Sequence, residues 1–333
     1  MGKPEITVRR ASADDLAGII DVASAALGWA PGEPHEQLFR WKHLDNPFGE
    51  SPMWVAESDG RLAGFRAFMR WELDGPDACR WRAVRAVDTA THPDFQRMGI
   101  FSKLTSGAVD EMRDEGVDIV FNTPNDQSRP GYLKMGWIDV GRLPVSFRPT
   151  SPAALARMAK ARTPADKWSE PTTTGVSAID ALADRDAVAA LASAARNGDT
   201  GSALTTPLDA AFLAWRYGLE PLHYRAWVGL GGRGDLDEGV VLFRRRRRGT
   251  AIECSVGHVL VPDGDPVAAR RLLGSMAKEV EADYLIRIGA PDPRGGFAPL
   301  PNQGPRLTAR TVKTDPPADL AAWSFQLGDV ELL

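Results

Sequence analysis

The chain has few of the residues that build metal sites and disulfide frameworks. Among its 333 residues there are two cysteines and five histidines. Cys79 and Cys254 lie far apart in two predicted strands, so we expect free thiols, buried in strands, and no disulfide framework. Because no group of His, Cys and carboxylate residues has the spacing of metal ligands, we predict that the protein binds no metal.

Long apolar runs and an excess of positive charge are also absent. No stretch approaches the ~18 apolar residues of a membrane span, and the first residues lack the apolar segment of a secretory signal. Residues 1–150 carry 18 Lys and Arg against 22 Asp and Glu, whereas residues 151–333 carry 22 of each, which gives a net charge of −4. A nucleic-acid-binding domain is usually basic. We therefore expect a cytoplasmic protein that binds neither nucleic acid nor a membrane.

A pattern of residues occurs twice along the chain. The segment LFRWK at 38–42 is echoed by FLAWR at 212–216, and a proline follows six residues after the tryptophan in both copies. Each copy continues with a Trp-Val pair, a polar turn containing glycine and an apolar strand. Matches in one order with changing gaps indicate a duplicated domain, since a solenoid would show many short repeats of fixed period.

The duplication predicts two domains and a connection between them. We place the first domain at residues 1–149 and the second at residues 176–333. The intervening segment, 150–175, contains one short helical pattern and then becomes polar and rich in proline, which is typical of a linker.

The stretch from Val84 to Leu104 carries the first functional signal. It predicts the end of a strand over 80–91, a turn and a helix that begins at Gly99. The first amides of a helix have no partner within it and bind anions. Gly99 would let a phosphate approach the backbone, and the Arg97 guanidinium suits phosphate oxygens. This pattern predicts a site for a phosphorylated cofactor.

A second signal follows about 25 residues later. Asn122-Thr123-Pro124-Asn125 ends a predicted buried strand, and GYLKMGW at 131–137 predicts a short helix followed by a strand. With QRMGIF at 96–101, this order of elements resembles the GNAT acyltransferase family, whose signature is Gln/Arg-x-x-Gly-x-Gly/Ala. Phe101 departs from that signature, because it stands where the family has a small residue.

The resemblance covers residues 5–148 and implies a fold. Each of two GNAT-like domains is expected to be α/β (α+β), with a mixed, mostly antiparallel sheet flanked by helices. The second domain lacks the Gln-x-x-Gly loop, so we expect it to be a degenerate copy that does not bind CoA in the family's usual way.

The resemblance also implies an activity and its residues. It predicts an N-acyltransferase that moves the acetyl group of acetyl-CoA, or another acyl group from its acyl-CoA, to the amine of a small molecule or peptide. Transfer would be direct, in a ternary complex, by a monomer or homodimer. Tyr132 is the predicted general acid and Asp88 the predicted general base. The predicted cofactor contacts are Thr89, Ala90, Thr91, Gln96, Arg97, Met98, Gly99, Ile100, Phe101, Ser102 and Asn125.

Each of these residues also has a purely structural interpretation. Tyr132 could be a core aromatic residue, Asp88 a capping or ion-paired carboxylate, and Asn125 the first residue of an Asx turn. The run of five arginines at 244–248 could meet an anionic substrate, but we interpret it as a solvated hairpin turn because its domain is neutral.

Two other functions remain compatible with the sequence. A Fem-like aminoacyl transferase also pairs two GNAT-like units but takes its donor from aminoacyl-tRNA, and a non-catalytic CoA-sensing or scaffold module would bind without turnover. The intact Gln-x-x-Gly loop and the acidic charge argue against the first alternative, whereas Phe101 and the degenerate copy keep the second open.

Overall fold

The computed structural model describes residues 5–76, 79–161, 163–196, 201 and 203–331. The chain divides into two compact units: unit 1 comprises 1–141 and 305–322, and unit 2 comprises 142–304 and 323–333. None of the described helices is long and apolar enough to cross a membrane.

The secondary structure alternates short helices with strands in both halves of the chain. The strands are β1 (Thr7–Arg10), β2 (Met53–Ser58), β3 (Arg61–Asp74), β4 (Arg80–Thr91), β5 (Ile119–Asn122), β6 (Ile138–Arg142), β7 (Val145–Pro149), β8 (Val176–Ser177), β9 (Arg225–Val228), β10 (Val240–Arg248), β11 (Ala251–Leu260), β12 (Tyr284–Ile288), β13 (Ala298–Pro299) and β14 (Arg306–Thr311). The helices are α1 (Leu16–Leu27), α2 (His35–His43), α3 (Ile100–Asp114), α4 (Arg129–Lys134), α5 (Pro152–Lys160), α6 (Ala178–Ala181), α7 (Arg185–Arg196), α8 (Ala210–Tyr217), α9 (Pro266–Glu279) and α10 (Leu327–Val330).

The sheet of unit 1 has the strand order β1-β2-β3-β4-β5-β14-β6. Strands β1 to β4 pair antiparallel, and β4 and β5 pair parallel. Apolar residues of α1 and α2 pack on one face of the sheet, and those of α3 pack on the other. The mixed, mostly antiparallel sheet with flanking helices confirms the predicted α/β class.

Local sequence explains the long hairpins of this sheet. The turn between β2 and β3 holds Asp59 at φ 49° and Gly60 at φ 75°, which is the left-handed geometry that an Asp-Gly pair adopts in tight hairpin turns. Farther along, the pairing of β3 with β4 shifts register after Arg66, and Asp88 becomes the extra residue of a bulge at φ 30°. Bulges re-aim side chains, and this one lies in the strand predicted to contact the cofactor.

Unit 2 repeats these features in a sheet of order β13-β7-β12-β11-β10-β9-β8. The antiparallel pair β10 and β11 shifts register so that Gly257 is the extra residue, and β11 pairs parallel with β12 over three residues. The β4–β5 pair of unit 1 is also parallel over three residues. A shared bulge and a shared short parallel pair give the sequence duplication a structural counterpart.

The strands of each unit do not follow the predicted domain boundaries. Strand β14 follows the second repeat in sequence but pairs with β5 in the sheet of unit 1. Strand β7 precedes the predicted linker but pairs with β12 in the sheet of unit 2. Alternating hydrophobicity identifies a strand without naming its partner, so the sequence could not show this exchange.

The segment predicted to be a linker has structure within unit 2. It begins with α5, and the amide of Asp166 then donates to the carbonyl of Arg247, 2.7 Å away. The amide of Glu170 donates to the carbonyl of Arg245 over 2.8 Å. These two bonds pair residues 166–170 with the last residues of β10. The polar segment predicted to be a linker is therefore hydrogen-bonded to the sheet.

The interpretation of residues 244–248 as a solvated hairpin turn is wrong. They form the end of β10, and the turn follows at Gly249. Arg244 is fully buried and donates to Glu331 over 2.9 Å, and Arg246 donates to the same carboxylate. Burial by itself raises the pKa of Glu331, but the two guanidinium groups outweigh it and bring that pKa to about 2. The run alternates on a strand, so Arg244 and Arg246 meet a buried carboxylate, whereas Arg247 on the opposite face is exposed.

Candidate active site

The site begins where β4 and β5 separate. The two strands pair only over 83–85 and 119–121, whereas β4 continues to Thr91. The backbone amides and carbonyls of a strand point alternately toward the strands on its two sides. The 86–91 segment therefore presents amides and carbonyls on the side where β5 no longer pairs with it. The predicted contact residues Thr89, Ala90 and Thr91 lie along this opening, and their contact with a cofactor stays a prediction.

The start of α3 has the geometry of an anion site. The first amide bond of the helix runs from Lys103 to the carbonyl of Gly99, 3.0 Å away, so the amides of 100–102 precede the bonding of the helix itself. Gly99 has φ 72°, and a Cβ added to it would meet nothing within 4 Å. Gln96, Arg97 and Ser102 are exposed around this turn and Met98 is half-buried. The cradle therefore fits a phosphate group.

Close packing holds the helix start against the sheet. A Cβ on Gly64 in β3 would lie 2.8 Å from the Ala90 oxygen and 2.9 Å from the Ile100 side chain. Only glycine permits this approach. The hydroxyl of Thr89 donates to the Phe65 carbonyl over 3.0 Å, so that side chain binds the sheet and leaves its backbone as the group available to a ligand.

Tyr132 lies on α4 and is buried against this same region. Its ring meets that of Trp137 with a centroid distance of 5.2 Å. Its hydroxyl oxygen accepts a hydrogen bond from Arg66 of β3, which is fully buried. The tyrosine thus belongs to the core while its hydroxyl has a hydrogen-bond partner, and its role as a general acid stays a prediction.

Phe101 packs where the family signature has a small residue. Its ring lies edge-on to Tyr132, with centroids 5.3 Å apart, and one ring carbon lies 3.1 Å from the position of a Cβ on Gly131. The large residue on α3 is accommodated by the absence of a side chain at 131. Phe101 therefore points toward Tyr132 and Arg66, away from the exposed turn that would hold a phosphate.

Asn125 makes the contacts of a capping residue. Its side-chain oxygen accepts from the amides of Gln127 and Ser128 over 3.1 and 2.9 Å and from the Ser128 hydroxyl over 2.9 Å. This is the Asx turn that the sequence left open. The turn sets the entry into α4 and thereby the position of Tyr132, and a direct contact between Asn125 and CoA stays a prediction.

Asp88 occupies a buried network behind the bulge. Its carboxylate pairs with the Lys42 ammonium group and accepts from Nε2 of His43 over 2.8 Å. The other ring nitrogen of His43 lies 2.8 Å from the Ser51 hydroxyl. His43 is fully buried, and the Lys42 side chain is 5% exposed. Three elements, α2, β4 and the segment before β2, are thus joined through the His43 imidazole.

The charges of this network are defined by its surroundings. Burial opposes ionisation of Asp88, but Lys42 and His43 together hold its pKa well below the ordinary range. Burial lowers the pKa of His43, which Asp88 offsets only in part. At neutral pH the carboxylate is ionised and the imidazole is neutral, with its proton on Nε2 facing Asp88. The base role of Asp88 stays a prediction, and these contacts weigh against it because such a carboxylate is a weak proton acceptor.

Sequence reasoning missed Arg66, Lys42 and His43. A signal existed for two of them: Arg66 is one of two arginines inside the apolar segment 62–71, and Lys42, the basic residue after Trp41, recurs as Arg216 after the matching tryptophan. A charge inside a buried strand needs a partner, which would have marked Arg66 for attention.

The matching region of unit 2 is closed by its own residues. The carboxylate of Asp265 accepts from the amides of Val267 and Ala268 over 2.8 and 3.2 Å, and the helix begins with a proline, which has no amide proton. The exposed edge of β11 is also occupied, since Gln326 accepts from the amide of Val259 over 2.9 Å. A carboxylate at the helix start excludes a phosphate by repulsion. In unit 2, side chains of the chain itself thus bond the backbone amides at the helix start and at the strand edge.

Comparison with known proteins agrees with this geometry. Residues 7–138 match the family model described as an acetyltransferase (GNAT) domain. None of the curated proteins compared with the chain matches it.

Solved structures resemble the chain in fold. A GCN5-related N-acetyltransferase from Kribbella flavida has a TM-score of 0.60 at 16% identity, covering 96% of this chain and 74% of its own. One from Anabaena variabilis has a TM-score of 0.60 at 15% identity, with coverages of 93% and 73%. A protein of Enterococcus faecalis described as a probable N-acyltransferase has a TM-score of 0.63 at 13% identity, with coverages of 92% and 72%.

Residues 7–138 therefore carry an acetyltransferase (GNAT) domain, and the chain as a whole shares the fold of these solved structures. The family and the site support acyl transfer in general. No group of three or more His, Cys, Asp or Glu residues in the described part of the chain is placed to hold a metal ion.

Proposed function

We propose that the protein transfers an acyl group, in the first instance acetyl, from its CoA thioester to an amine of a small molecule or peptide. The observation that carries this proposal is the opening between β4 and β5, which ends at the exposed helix start around Gly99 with the Tyr132 hydroxyl beside it. Backbone donors, an anion cradle and a hydroxyl acid are the groups that such a transfer needs.

Three groups of residues would have separate roles in the transfer. The amides of 97–102 and the Arg97 guanidinium would bind the pyrophosphate of CoA, because a helix start and a guanidinium both favour anions. The free edge of β4 at Thr89–Thr91 would hold the pantetheine arm and the acyl carbonyl, whose oxygen gains negative charge during attack. Tyr132 would donate a proton to the departing sulfur.

The attacking amine must lose a proton during the reaction. The carboxylate of Asp88 is ionised but already paired with Lys42 and His43, so we assign it to positioning the bulge of β4. The proton would leave through water at the opening. An acceptor amine that is neutral at the working pH fits this arrangement best, since it needs no strong base.

Thiol release across a panel of amines tests the proposal. We expect CoA to appear faster with acetyl-CoA and a suitable amine than with acetyl-CoA alone, and an acetylated amine of matching amount in the mass spectrum. Tyr132→Phe should lower the rate by about 10²- to 10⁴-fold, the usual contribution of a general acid. Tyr284→Phe, in unit 2, is the matched control and should leave the rate unchanged.

The same assay separates the proposal from its alternatives. Acetyl-CoA binding without turnover for any amine would favour a sensor. If tRNA shifted on a gel and acetyl-CoA did not bind, the aminoacyl transferase would replace our proposal.

A further inference from the structure

Arg66 is the most unusual charge in unit 1. It lies in the middle of β3 with no exposed surface. Its Nη2 donates to the Tyr132 hydroxyl, but Nε and Nη1 have no hydrogen-bond partner among the described residues. A buried charged group with unmet donors is costly, and such a group is retained where it has a task.

Two predicted site residues, Tyr132 and Phe101, lie beside the Arg66 guanidinium, together with the core residue Phe68. The central carbon of the guanidinium lies 5.3 Å from the Tyr132 ring centroid and 5.6 Å from that of Phe101. On the backbone, Arg66 is the register partner of Thr89 in β4. The unmatched charge therefore lies beside the predicted acid, the loop helix and the strand edge that would hold the thioester.

The hydrogen bond from Arg66 also fixes the direction of the Tyr132 proton. A guanidinium has donors only, so in this bond the phenolic oxygen must accept. The hydroxyl proton of Tyr132 is then directed away from Arg66. A proton donor whose own proton is free to point at a ligand is what thiolate departure requires.

We propose that Arg66 is a positioning residue for thioester cleavage, which acts through Tyr132 and through its positive charge. This inference rests on the proposed function. In the step, the amine nitrogen bonds to the carbonyl carbon and the carbon–sulfur bond breaks with its electron pair on sulfur. The Tyr132 hydroxyl proton passes to sulfur, and Arg66 balances the charge left on the phenolic oxygen. The proton lost by the amine goes to water, from which the tyrosine recovers its own.

A spectroscopic titration tests the charge of Arg66 without turnover. Free CoA is added to the protein, and the ultraviolet absorbance of its thiolate is followed against pH, with desulfo-CoA as the baseline. We expect the thiolate of bound CoA to form at a pH about 1–3 units higher in Arg66→Met than in the unchanged protein, as expected when a neighbouring cation is lost. Arg66→Lys, which keeps the charge, should recover much of the difference.

Arg85→Met is the matched control. Arg85 is also buried, at 2% exposed, and also stacks between two rings, those of Trp71 and Phe121. Its removal should leave the thiolate midpoint where it is. If it moved the midpoint as far as Arg66→Met does, a general effect of losing a buried charge would replace our account.

A double-mutant cycle on thiol release tests the action through Tyr132. Arg66→Met should slow release at least tenfold, and in the Tyr132→Phe background its further effect should be clearly smaller, since residues that act as a unit are non-additive. Independent, additive losses would overturn the inference.

Calorimetry distinguishes a failure of the proposed function from a failure of the inference about Arg66. If the unchanged protein binds no acetyl-CoA, the proposed function fails and this inference with it. If acetyl-CoA binds equally to the unchanged protein and to Arg66→Met, and the thiolate midpoint is also the same in both, only the inference fails.

Discussion

Replacing Asp88 by asparagine should destabilise unit 1 strongly, although the two side chains have nearly the same shape. The change removes the only charge that balances Lys42 in the network, while leaving a side chain able to bond His43. Lys42 would remain as a buried cation, since its side chain is 5% exposed. Breaking a buried ion pair by removing one partner costs about 3–5 kcal/mol. Because the Asp88 side chain is only 17% exposed, solvent screening offers little relief.

The cost should be recovered in part when the second charge is removed. Lys42→Met combined with Asp88→Asn leaves no unbalanced charge, so its free energy of unfolding should exceed that of Asp88→Asn alone. Urea unfolding at neutral pH provides the measurement, with hydrogen exchange of peptides from 61–91 to follow unit 1 separately. A loss below about 1 kcal/mol for Asp88→Asn, a value typical of exposed ion pairs, would refute the reasoning.

The same network makes a prediction about pH. The pKa of Asp88 in the folded protein lies below its ordinary value of about 3.9. Its contribution to stability is therefore complete above that value and is lost as the pH falls toward the folded pKa, because the unfolded state takes up the proton first. Between neutral pH and about pH 3, unfolding free energy should fall less steeply in Asp88→Asn than in the unchanged protein. Equal slopes would contradict the assigned ion pair.

Three further predictions concern packing and thiols. Phe101→Ala should cost about 2 kcal/mol in urea unfolding, since the ring is half-buried and a fully buried one costs about 3–5; no measurable loss would contradict its packing on Tyr132. Gly64→Val should weaken acetyl-CoA binding about tenfold in calorimetry, because overpacking beside the helix start costs about 1–3 kcal/mol; unchanged affinity would count against it. A thiol reagent should modify the exposed Cys79 in the folded protein and the buried Cys254 only in denaturant. Fast reaction of both thiols in the folded protein would contradict the burial of Cys254.

The strand, turn and helix start around Gly99 could be predicted from sequence because their signals are local. A strand, a turn and a glycine before a helix occupy consecutive residues, and their chemistry depends on backbone geometry more than on distant partners. The helix predicted to begin at Gly99 is observed at Ile100–Asp114. The prediction of buried thiols was wrong for Cys79, which follows the turn after β3 and is exposed. The sequence placed Cys79 in a strand, but the residue immediately precedes the first residue of β4.

The contacts of the site depend on residues far apart in the chain. Asp88 meets Lys42 and His43 only because a one-residue bulge turns its side chain toward α2, and a bulge has no clear signature in a single sequence. The partner of Arg66 is 66 residues away. The exchange of β7 and β14 between the sheets is similarly long-range, so the domain division at residue 149 stays a prediction.

The central claim is that one working acyl-CoA site exists per chain, at the start of α3. Calorimetric titration of the full chain with acetyl-CoA tests it most directly, alongside Gly99→Trp and the unit 2 control Gly264→Trp. The account predicts one molecule bound per chain, no measurable binding by Gly99→Trp because an indole fills the cradle, and unchanged binding by the control. Two molecules bound per chain, or equal affinity after Gly99→Trp, would contradict it.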